Sequence, residues 1–385
     1  MKTLKTILLI ALSFNLLGCN AKTEKQNKET NYFAINENTK PTKATIKVAL
    51  LLDTSNSMDG LIDQAKSQLW KIINELSYAK CEHVTPDLQI ALYEYGNDDL
   101  EKSDGFVRQV IGFSSDLDEI SERLFSLDTN GGSEYCGKVI LSSLNDLKWG
   151  KKDNDLNIIF IAGNEAFTQG TVSYKNVIAD AIEKNIVVNT IFCGDYQNGI
   201  SGKWQNAAKL GKGEYLTINQ NKKIVHITTP YDEVIIRLNK RLNKTYIRYG
   251  NQGSKKLSLQ AAQDDNASEL SEEVVVSRAV SKSSKAYNNS SWDLVDAKKE
   301  KNFNYAKIDK KTLPKELQNK STAAIKKHVE SKEKERIEIQ KEIQKVNVQR
   351  KKYIAKHKTD NSDDELESVM INAIKNQAKR KNYSW

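Results

Sequence analysis

The sequence predicts a doubly wound α/β fold with a mostly parallel sheet, followed by a largely helical, basic C-terminal region. Two observations support this prediction. Between about residues 44 and 250, short apolar runs rich in β-branched residues alternate with segments whose apolar residues recur at helical spacing, a pattern typical of a parallel sheet covered by helices. Residues 298–358 contain 20 Lys and Arg against 8 Asp and Glu, while the whole chain has a net charge of +9. The basic character therefore belongs to the C-terminal region and not to the predicted sheet.

The predicted elements follow one another along the chain. Continuous apolar runs predict buried strands at residues 46–52, 88–95, 157–162 and 186–192. Two further strands are predicted at residues 105–113, antiparallel to its neighbour, and at residues 214–218, on an edge. Helical spacing predicts helices at residues 61–76, 117–127, 136–147, 174–184, 204–210 and 232–245. Because ligands of such sheets bind beyond the carboxyl ends of the strands, a functional site is expected there.

The N-terminus indicates export and lipid anchoring. A basic start and the apolar residues 7–12, too few to span a membrane, precede residues 16–19 (LLGC). This tetrapeptide resembles the lipobox of bacterial lipoproteins, which implies that residues 1–19 form the lipoprotein signal and that Cys19 becomes the lipidated first residue of the mature chain. An ordinary secretory signal with an incidental cysteine is the alternative. Asn20 after that cysteine favours an outer-membrane anchor, on the periplasmic face or at the cell surface.

Cys19 is followed by the polar residues 20–43, which are predicted to form a flexible tether. Three cysteines follow, and two of them can pair in an oxidising compartment. Cys193 ends an apolar run and is predicted to be a buried strand residue. A disulfide between Cys81 and Cys136 is therefore the favoured pairing.

A D-x-S-x-S motif directly follows the first predicted strand and consists of Asp53, Ser55 and Ser57. One carboxylate and two hydroxyls from a tight loop suit a hard cation such as Mg²⁺, which prefers oxygen ligands and keeps positions open for water or for a partner's carboxylate. The alternative is a polar loop whose side chains cap the next helix.

This motif, at this position, resembles the metal-ion-dependent adhesion site of von Willebrand factor type A domains. The resemblance covers about residues 46–250 and implies a Rossmann-like type A domain at residues 44–250. Residues 129–133 (TNGGS) resemble the second loop of the family, where a hydroxyl ligates the metal, and this implies that Ser133 is a ligand here. Residues 91–97 and 164–170 also resemble segments of uncharacterised bacterial proteins with type A domains.

The third loop departs from the family pattern. The family has Asp-Gly after the fourth strand, whereas this chain has residues 161–167 (IAGNEAF), with Gly163 at the position of the aspartate. Glu165 can reach the ion directly or through water. Because one carboxylate is lost, weak binding of Mg²⁺, or of Ca²⁺ or Mn²⁺, is predicted; a site that no longer binds metal is the alternative.

These features predict a binding protein and not an enzyme. The chain has four histidines, none at metal-ligand spacing, and no motif for nucleophilic or phosphoryl-transfer catalysis. The expected function is cation-assisted binding, at the cell envelope, of another envelope protein that presents an acidic side chain; no nucleic acid is expected as a partner. A metal-assisted hydrolase is an alternative of another class.

The C-terminal part is predicted to contain a linker at residues 251–290 and a helical basic region at residues 291–385. Residues 291–296 form a short apolar insert that can dock onto the preceding domain. Residues 325–353 predict a helix or a weak coiled coil, and residues 365–379 a final amphipathic helix. This region is expected to be a solvated stalk; the alternative is a metal-free scaffold whose basic region binds anionic glycans or lipid head groups.

Overall fold

Eight strands occur in the computed structural model, which describes residues 43–219, 221, 227–357 and 366–385. They are β1 (Thr45–Asp53), β2 (Lys80–Cys81), β3 (Asp87–Tyr95), β4 (Val107–Ser114), β5 (Leu156–Gly163), β6 (Ile186–Cys193), β7 (Lys212–Ile218) and β8 (Tyr383–Ser384). Six of them form a central sheet in the order β4-β3-β1-β5-β6-β7, and β2 pairs with β8. Only β4 runs antiparallel to its neighbour in the central sheet. The predicted doubly wound, mostly parallel sheet is confirmed. The predicted signal, Cys19 and all but the end of the tether lie outside the described residues.

Thirteen α-helices occur in the same described part of the chain. They are α1 (Asp59–Leu76), α2 (Leu117–Phe125), α3 (Cys136–Asp146), α4 (Tyr174–Glu183), α5 (Tyr196–Ser201), α6 (Trp204–Leu210), α7 (Asp232–Asn243), α8 (Gly253–Leu270), α9 (Glu272–Lys282), α10 (Leu294–Ala297), α11 (Lys315–Gln318), α12 (Thr322–His357) and α13 (Leu366–Lys379). The six helices predicted before residue 250 are all present, with ends that differ by a few residues. No helix among these residues is both long enough and apolar enough to cross a bilayer.

Two apolar layers cover the two faces of the sheet. Alternate residues of β1 point to opposite faces, so that Val48 and Leu52 join one cluster and Ala49 and Leu51 the other. Helices α1, α2, α7, α9 and α13 contribute to the first cluster, and α3, α4 and α6 to the second. Burial on both faces explains why the strands of this sheet are nearly continuous apolar runs.

The prediction of a linker at residues 251–290 is wrong for residues 253–282, which form α8 and α9. The charged residues in this segment suggest exposed, irregular structure, but charged side chains of α9 are in fact buried. Arg278 donates to Asp118 over 2.7 Å and Lys282 to Asp264 over 2.9 Å, and both basic side chains are almost fully enclosed. Buried charges of this kind are tolerated because they are paired.

The prediction of a solvated C-terminal stalk is also wrong. Helix α12 is present as predicted, but it packs against α7, α9 and α10. Its Arg336 is buried, donates to Asp293 over 2.6 Å and to the Thr245 carbonyl over 2.8 Å, and lies 4.1 Å from the ring centre of Tyr246. The insert at residues 291–296 docks onto the preceding domain as expected, since Leu294 donates to the carbonyl of Ile247 over 2.9 Å. The C-terminal helices are therefore part of one compact unit, Lys43–Trp385.

The predicted disulfide is wrong, because the sheet separates the two cysteines. Cys81 belongs to the apolar cluster on one face and Cys136 to the cluster on the other. Cys81, Cys136 and Cys193 are all buried free thiols. Cys136 lies 3.8 Å from the hydroxyl of Tyr95, and Cys81 lies 3.9 Å from the carbonyl of Lys381. The burial of Cys193 at the end of β6 agrees with the prediction.

Candidate functional site

The candidate site lies at the carboxyl ends of β1 and β5, where the strand order reverses. From this pair the chain continues outward to β3 and β4 on one side and to β6 and β7 on the other. Loops that leave such a point diverge and open a crevice, which is where ligands bind in doubly wound sheets. Asp53 pairs with Tyr95 of β3, and Leu52 pairs with Ala162 of β5. Asp53 is therefore level with Gly163, the last residue of β5.

Asp53 is completely buried at the end of β1. One of its carboxylate oxygens, Oδ1, accepts a hydrogen bond of 2.8 Å from the backbone N–H of Ser55. The other, Oδ2, is fully enclosed, and no N–H or hydroxyl of the described residues donates to it. An unsatisfied buried carboxylate oxygen costs free energy unless a proton or a cation neutralises it.

Backbone hydrogen bonds hold the second loop beside the first. Asn56 donates to the carbonyl of Gly131 over 3.1 Å, and Asn130 donates to the carbonyl of Thr54 over 3.0 Å. Gly96 adds a bridge to Ser133. These bonds fix the second loop at the end of β1, as the resemblance implied.

Gly96 is needed for this close approach. Its φ is +83°, and a Cβ placed there would lie 2.8 Å from Oδ1 of Asp53 and 2.9 Å from Cγ of Glu134. Only glycine adopts this backbone conformation without strain and leaves that space free. The side chains of Asp53 and Glu134 therefore occupy the space next to it.

Glu134 brings a second carboxyl group to Asp53. Glu134 is only 3% exposed, although it directly follows the partly exposed Ser133. Burial and a hydrogen bond with Asp53 raise the pKa of Glu134 to about 9, and burial raises the pKa of Asp53. Neither carboxyl forms an ion pair with a Lys, Arg or His of the described residues, so burial and the neighbouring acid both favour the protonated form of Glu134.

Neutral oxygen atoms complete the rim of this pair. Ser55 is buried beside Asp53, and its hydroxyl lies 3.3 Å from the hydroxyl of the exposed residue Ser57. Asn164 donates to the Ser57 hydroxyl over 3.0 Å, while its own Oδ1 is buried and accepts no hydrogen bond. Two kinds of oxygen, carboxylate and neutral, thus converge on one place.

This donor set fits a hard divalent cation. It contains only oxygen, and it includes two enclosed acceptor oxygens that lack donors, one on Asp53 and one on Asn164. Mg²⁺, Ca²⁺ and Mn²⁺ take such ligands. No group of three or more His, Cys, Asp or Glu side chains suited to a metal occurs in the described residues. Neutral oxygens and water would therefore have to supply the remaining ligands.

The other two predicted ligands, Ser133 and Glu165, lie farther from the enclosed carboxyls or point to solvent. Ser133 is half-buried and meets Gly96 through its backbone, but its hydroxyl forms no hydrogen bond with Asp53, Ser55 or Ser57. The side chain of Glu165 is exposed at the rim. Its charge raises the pKa of both buried carboxyls, and its backbone carbonyl accepts from the indole of Trp204 over 2.7 Å.

Gly163 leaves no room for the aspartate that the family has at this position. A Cβ on Gly163 would lie 2.5 Å from the hydroxyl of Tyr95, 2.9 Å from Oδ2 of Asp53 and 3.2 Å from the ring of Trp204. The Tyr95 hydroxyl is itself fixed, because it donates to the carbonyl of Ala162 over 2.9 Å. The loss of the third-loop carboxylate is thus matched by a tyrosine in its space and by Glu134 on the opposite loop.

The fold and this site define an α/β domain with a cluster of carboxyl and neutral oxygens at the switch point of its sheet. Residues 47–207 match the family model of the von Willebrand factor type A domain, and the chain contains a domain of this family.

Three known proteins illustrate the similarity. The uncharacterized protein YwmC of Bacillus subtilis (strain 168) is 29% identical over 215 residues, which are 51% of this chain and 87% of that protein. The solved structure of the conserved hypothetical protein BatB from Bacteroides thetaiotaomicron is 16% identical, with a TM-score of 0.35, and the match covers 45% of this chain and 90% of that chain. Proximal thread matrix protein 1 from the mussel byssus, with a zinc-occupied MIDAS motif, is 11% identical, with a TM-score of 0.35. That match covers 47% of this chain and 43% of the mussel protein, so this chain spans less than half of the latter's length.

Proposed function

We propose that this protein is a lipid-anchored binding protein of the cell envelope, whose type A domain uses a divalent cation to bind a partner protein. The observation that supports the proposal most is the enclosed Oδ2 of Asp53, which has no donor and lies beside a second buried carboxyl. Type A domains generally act as interaction modules and not as enzymes. A cation would compensate the charge of both carboxylates at once, which no Lys, Arg or His side chain of the described residues does.

The proposed ligands are Asp53, Glu134 and Ser55, with Ser57 and Asn164 at the outer side. When bound, the cation supplies a positive centre whose open positions accept oxygen ligands from outside the protein. Ser57 is exposed, which leaves the outer side of the site accessible. A partner protein that presents an Asp or Glu side chain would meet the site there.

Glu134 replaces the missing third-loop aspartate in this proposal. The family pattern supplies a carboxylate from the loop after β5, where this chain has Gly163. Here Glu134 supplies it from the second loop, held beside Asp53. The site then retains two carboxylates, and the expected loss of affinity is smaller than the third loop alone suggests.

Anchoring rests on residues 16–19 and Cys19, which resemble a lipobox. A lipidated Cys19 would tether the domain to the outer membrane through the polar residues 20–43. The same type A domain would then act on partners within reach of that tether. The partner proposed is another envelope protein.

Calorimetric titration of residues 43–385 with Mg²⁺, Ca²⁺ and Mn²⁺ tests the cation site. The Asp53→Asn variant should weaken binding at least about tenfold, since even the outer partners of metal ligands are typically worth that much. Asp63→Asn is the matched control, because Asp63 is an exposed aspartate on α1 and loses the same charge. The proposal is contradicted if the wild type shows no saturable binding at millimolar cation, or if Asp53→Asn binds as tightly as Asp63→Asn.

A further inference from the structure

The outer face of α12 bears a straight line of lysines. The helix is 36 residues long, or about 54 Å at 1.5 Å per residue. Its inner face buries Ile325, Val329, Ile339 and Ile343 against the rest of the protein. The opposite face carries six exposed lysines, here called the lysine stripe: Lys327, Lys334, Lys341, Lys345, Lys352 and Lys356. Glu338 is the acidic residue on the same line.

The lysine stripe is not neutralised by the protein. Several other charged residues of α12 are paired: Lys332 lies 2.8 Å from Glu335, and Glu333 lies 2.5 Å from Lys298. Lys351 similarly lies 3.5 Å from Glu75. None of the six lysine side chains is in an ion pair or hydrogen bond with any residue that the structure describes. Six positive charges are therefore left facing solvent.

The spacing of the stripe suits a flat surface. Lys327, Lys334 and Lys341 are seven residues apart, which places them about 10.5 Å from one another along the helix on nearly the same side. From Lys327 to Lys356 the stripe extends about 44 Å. A plane touches a cylinder along one line, so all six ammonium groups can meet a planar anionic surface at once.

The lysine stripe suits a single-stranded anionic polymer less well than it suits a planar surface. Proteins that hold single-stranded polyanions combine a positive groove with aromatic side chains on which the ligand stacks. The stripe lies on a convex helix and contains no aromatic residue. The exposed apolar residues beside it are Ile337 and Val348, which suit shallow contact at a lipid interface.

We propose that the lysine stripe of α12 lies along a membrane surface and binds the phosphates of anionic lipids. Clusters of four to eight Lys or Arg on an amphipathic helix bind such surfaces through the sum of many weak attractions. This surface is separate from the cation site and does not depend on it. A lipid anchor would already hold the domain near a membrane, and the stripe would fix its orientation there.

Co-sedimentation of residues 43–385 with vesicles tests the proposal. One set of vesicles contains phosphatidylcholine and phosphatidylglycerol, and the other phosphatidylcholine alone. The wild type should bind the anionic vesicles and lose that binding at high salt. The triple variant Lys334→Gln, Lys341→Gln, Lys345→Gln should bind at least about tenfold more weakly, because each lysine contributes separately. The corresponding triple variant to Arg, which keeps the charges, should bind like the wild type.

The matched control changes three exposed lysines of the type A domain: Lys151→Gln, Lys175→Gln and Lys209→Gln. It loses the same charge and should retain binding within about twofold. Since all six substituted side chains are exposed and unpaired, both variants should keep the thermal midpoint of the wild type. The proposal is overturned if the wild type does not prefer anionic vesicles or if the control loses as much binding as the stripe variant. Stripe-dependent binding of soluble polygalacturonate without any vesicle binding would also overturn it, in favour of a polysaccharide.

Discussion

The side chains of Glu134 and Asp53 lie next to each other inside the protein, on either side of the space in front of Gly96, although the two residues come from different loops. The second loop reaches this position through backbone bonds from Asn56 and Asn130, and Gly96 leaves room for both acids. Two carboxyls in one enclosed space repel each other when both are ionised. The arrangement is stable with Glu134 protonated, or with a cation in place of that proton.

Stability without metal should therefore fall as pH rises. Glu134 has a pKa of about 9 in the folded protein and an ordinary value of 4.5. Between these values the folded state binds more protons than the unfolded state, so the stabilisation is complete below about pH 4.5 and is lost as pH rises toward 9. In EDTA, Glu134→Gln should remove this dependence and raise the thermal midpoint above that of the wild type near pH 8, with little difference near pH 5.

The control for that experiment is Glu165→Gln, which removes an exposed carboxylate at the rim of the same site. It should keep most of the wild-type pH dependence. Identical pH profiles for the wild type and Glu134→Gln would show that Glu134 does not hold the extra proton.

Gly163 should tolerate no side chain. Gly163→Ala is expected to lower the free energy of unfolding by about 1–3 kcal/mol, the usual cost of an overpacked site, because its Cβ would meet the Tyr95 hydroxyl at 2.5 Å. Gly163→Asp should be at least as destabilising, and it should not strengthen cation binding. Gly132→Ala is the control, since nothing lies within 4 Å of its added Cβ. Urea denaturation measures both, and equal stability of the two alanine variants would contradict the packing described here.

Arg336 should be essential for the attachment of α12. The side chain is 2% exposed and pairs with Asp293 over 2.6 Å. Its removal leaves that carboxylate buried and unpaired, which typically costs about 3–5 kcal/mol. Arg336→Ala should therefore strongly lower the urea midpoint, whereas Lys334→Ala, on the exposed side of the same helix, should change it little. A small effect of Arg336→Ala would mean that the other contacts of α12, including the ion pairs of Arg350 with Asp232 and Glu273, are enough to hold the helix.

The three cysteines of the folded domain should be unreactive thiols. Cys81, Cys136 and Cys193 are buried and unpaired, and burial raises the pKa of each thiol. A thiol reagent should label none of them quickly in the native protein at neutral pH and all of them in denaturant. A Cys81–Cys136 disulfide found by mass spectrometry in the exported protein would contradict the placement of these two cysteines on opposite faces of the sheet.

The sequence predicted the structure correctly where apolar residues are buried and polar residues are exposed. The apolar run of β1 and the D-x-S-x-S motif after it placed Asp53, Ser55 and Ser57 at the edge of the sheet, and the structure brings these three side chains together. The same patterns failed at α8 and α9, because the buried Arg278 and Lys282 resemble exposed residues when their partners are far away in the sequence.

The role of Glu134 was missed for a similar reason. A glutamate beside a polar loop is ordinarily solvated, and only the approach of the second loop to β1 buries it. Its position directly after Ser133, a predicted ligand, was the available signal. The loss of the aspartate at Gly163 was visible in the sequence, but its cause was not, because Tyr95 comes from another strand.

Anomalous scattering from crystals of residues 43–385 grown with Mn²⁺ tests the cation site, because it locates the ion instead of inferring it from heat. We expect an anomalous peak next to the carboxyls of Asp53 and Glu134, present in the Asp63→Asn variant and absent from the Asp53→Asn variant. A well-ordered crystal with Mn²⁺ peaks only at other places, or with none, would contradict a cation site in this domain.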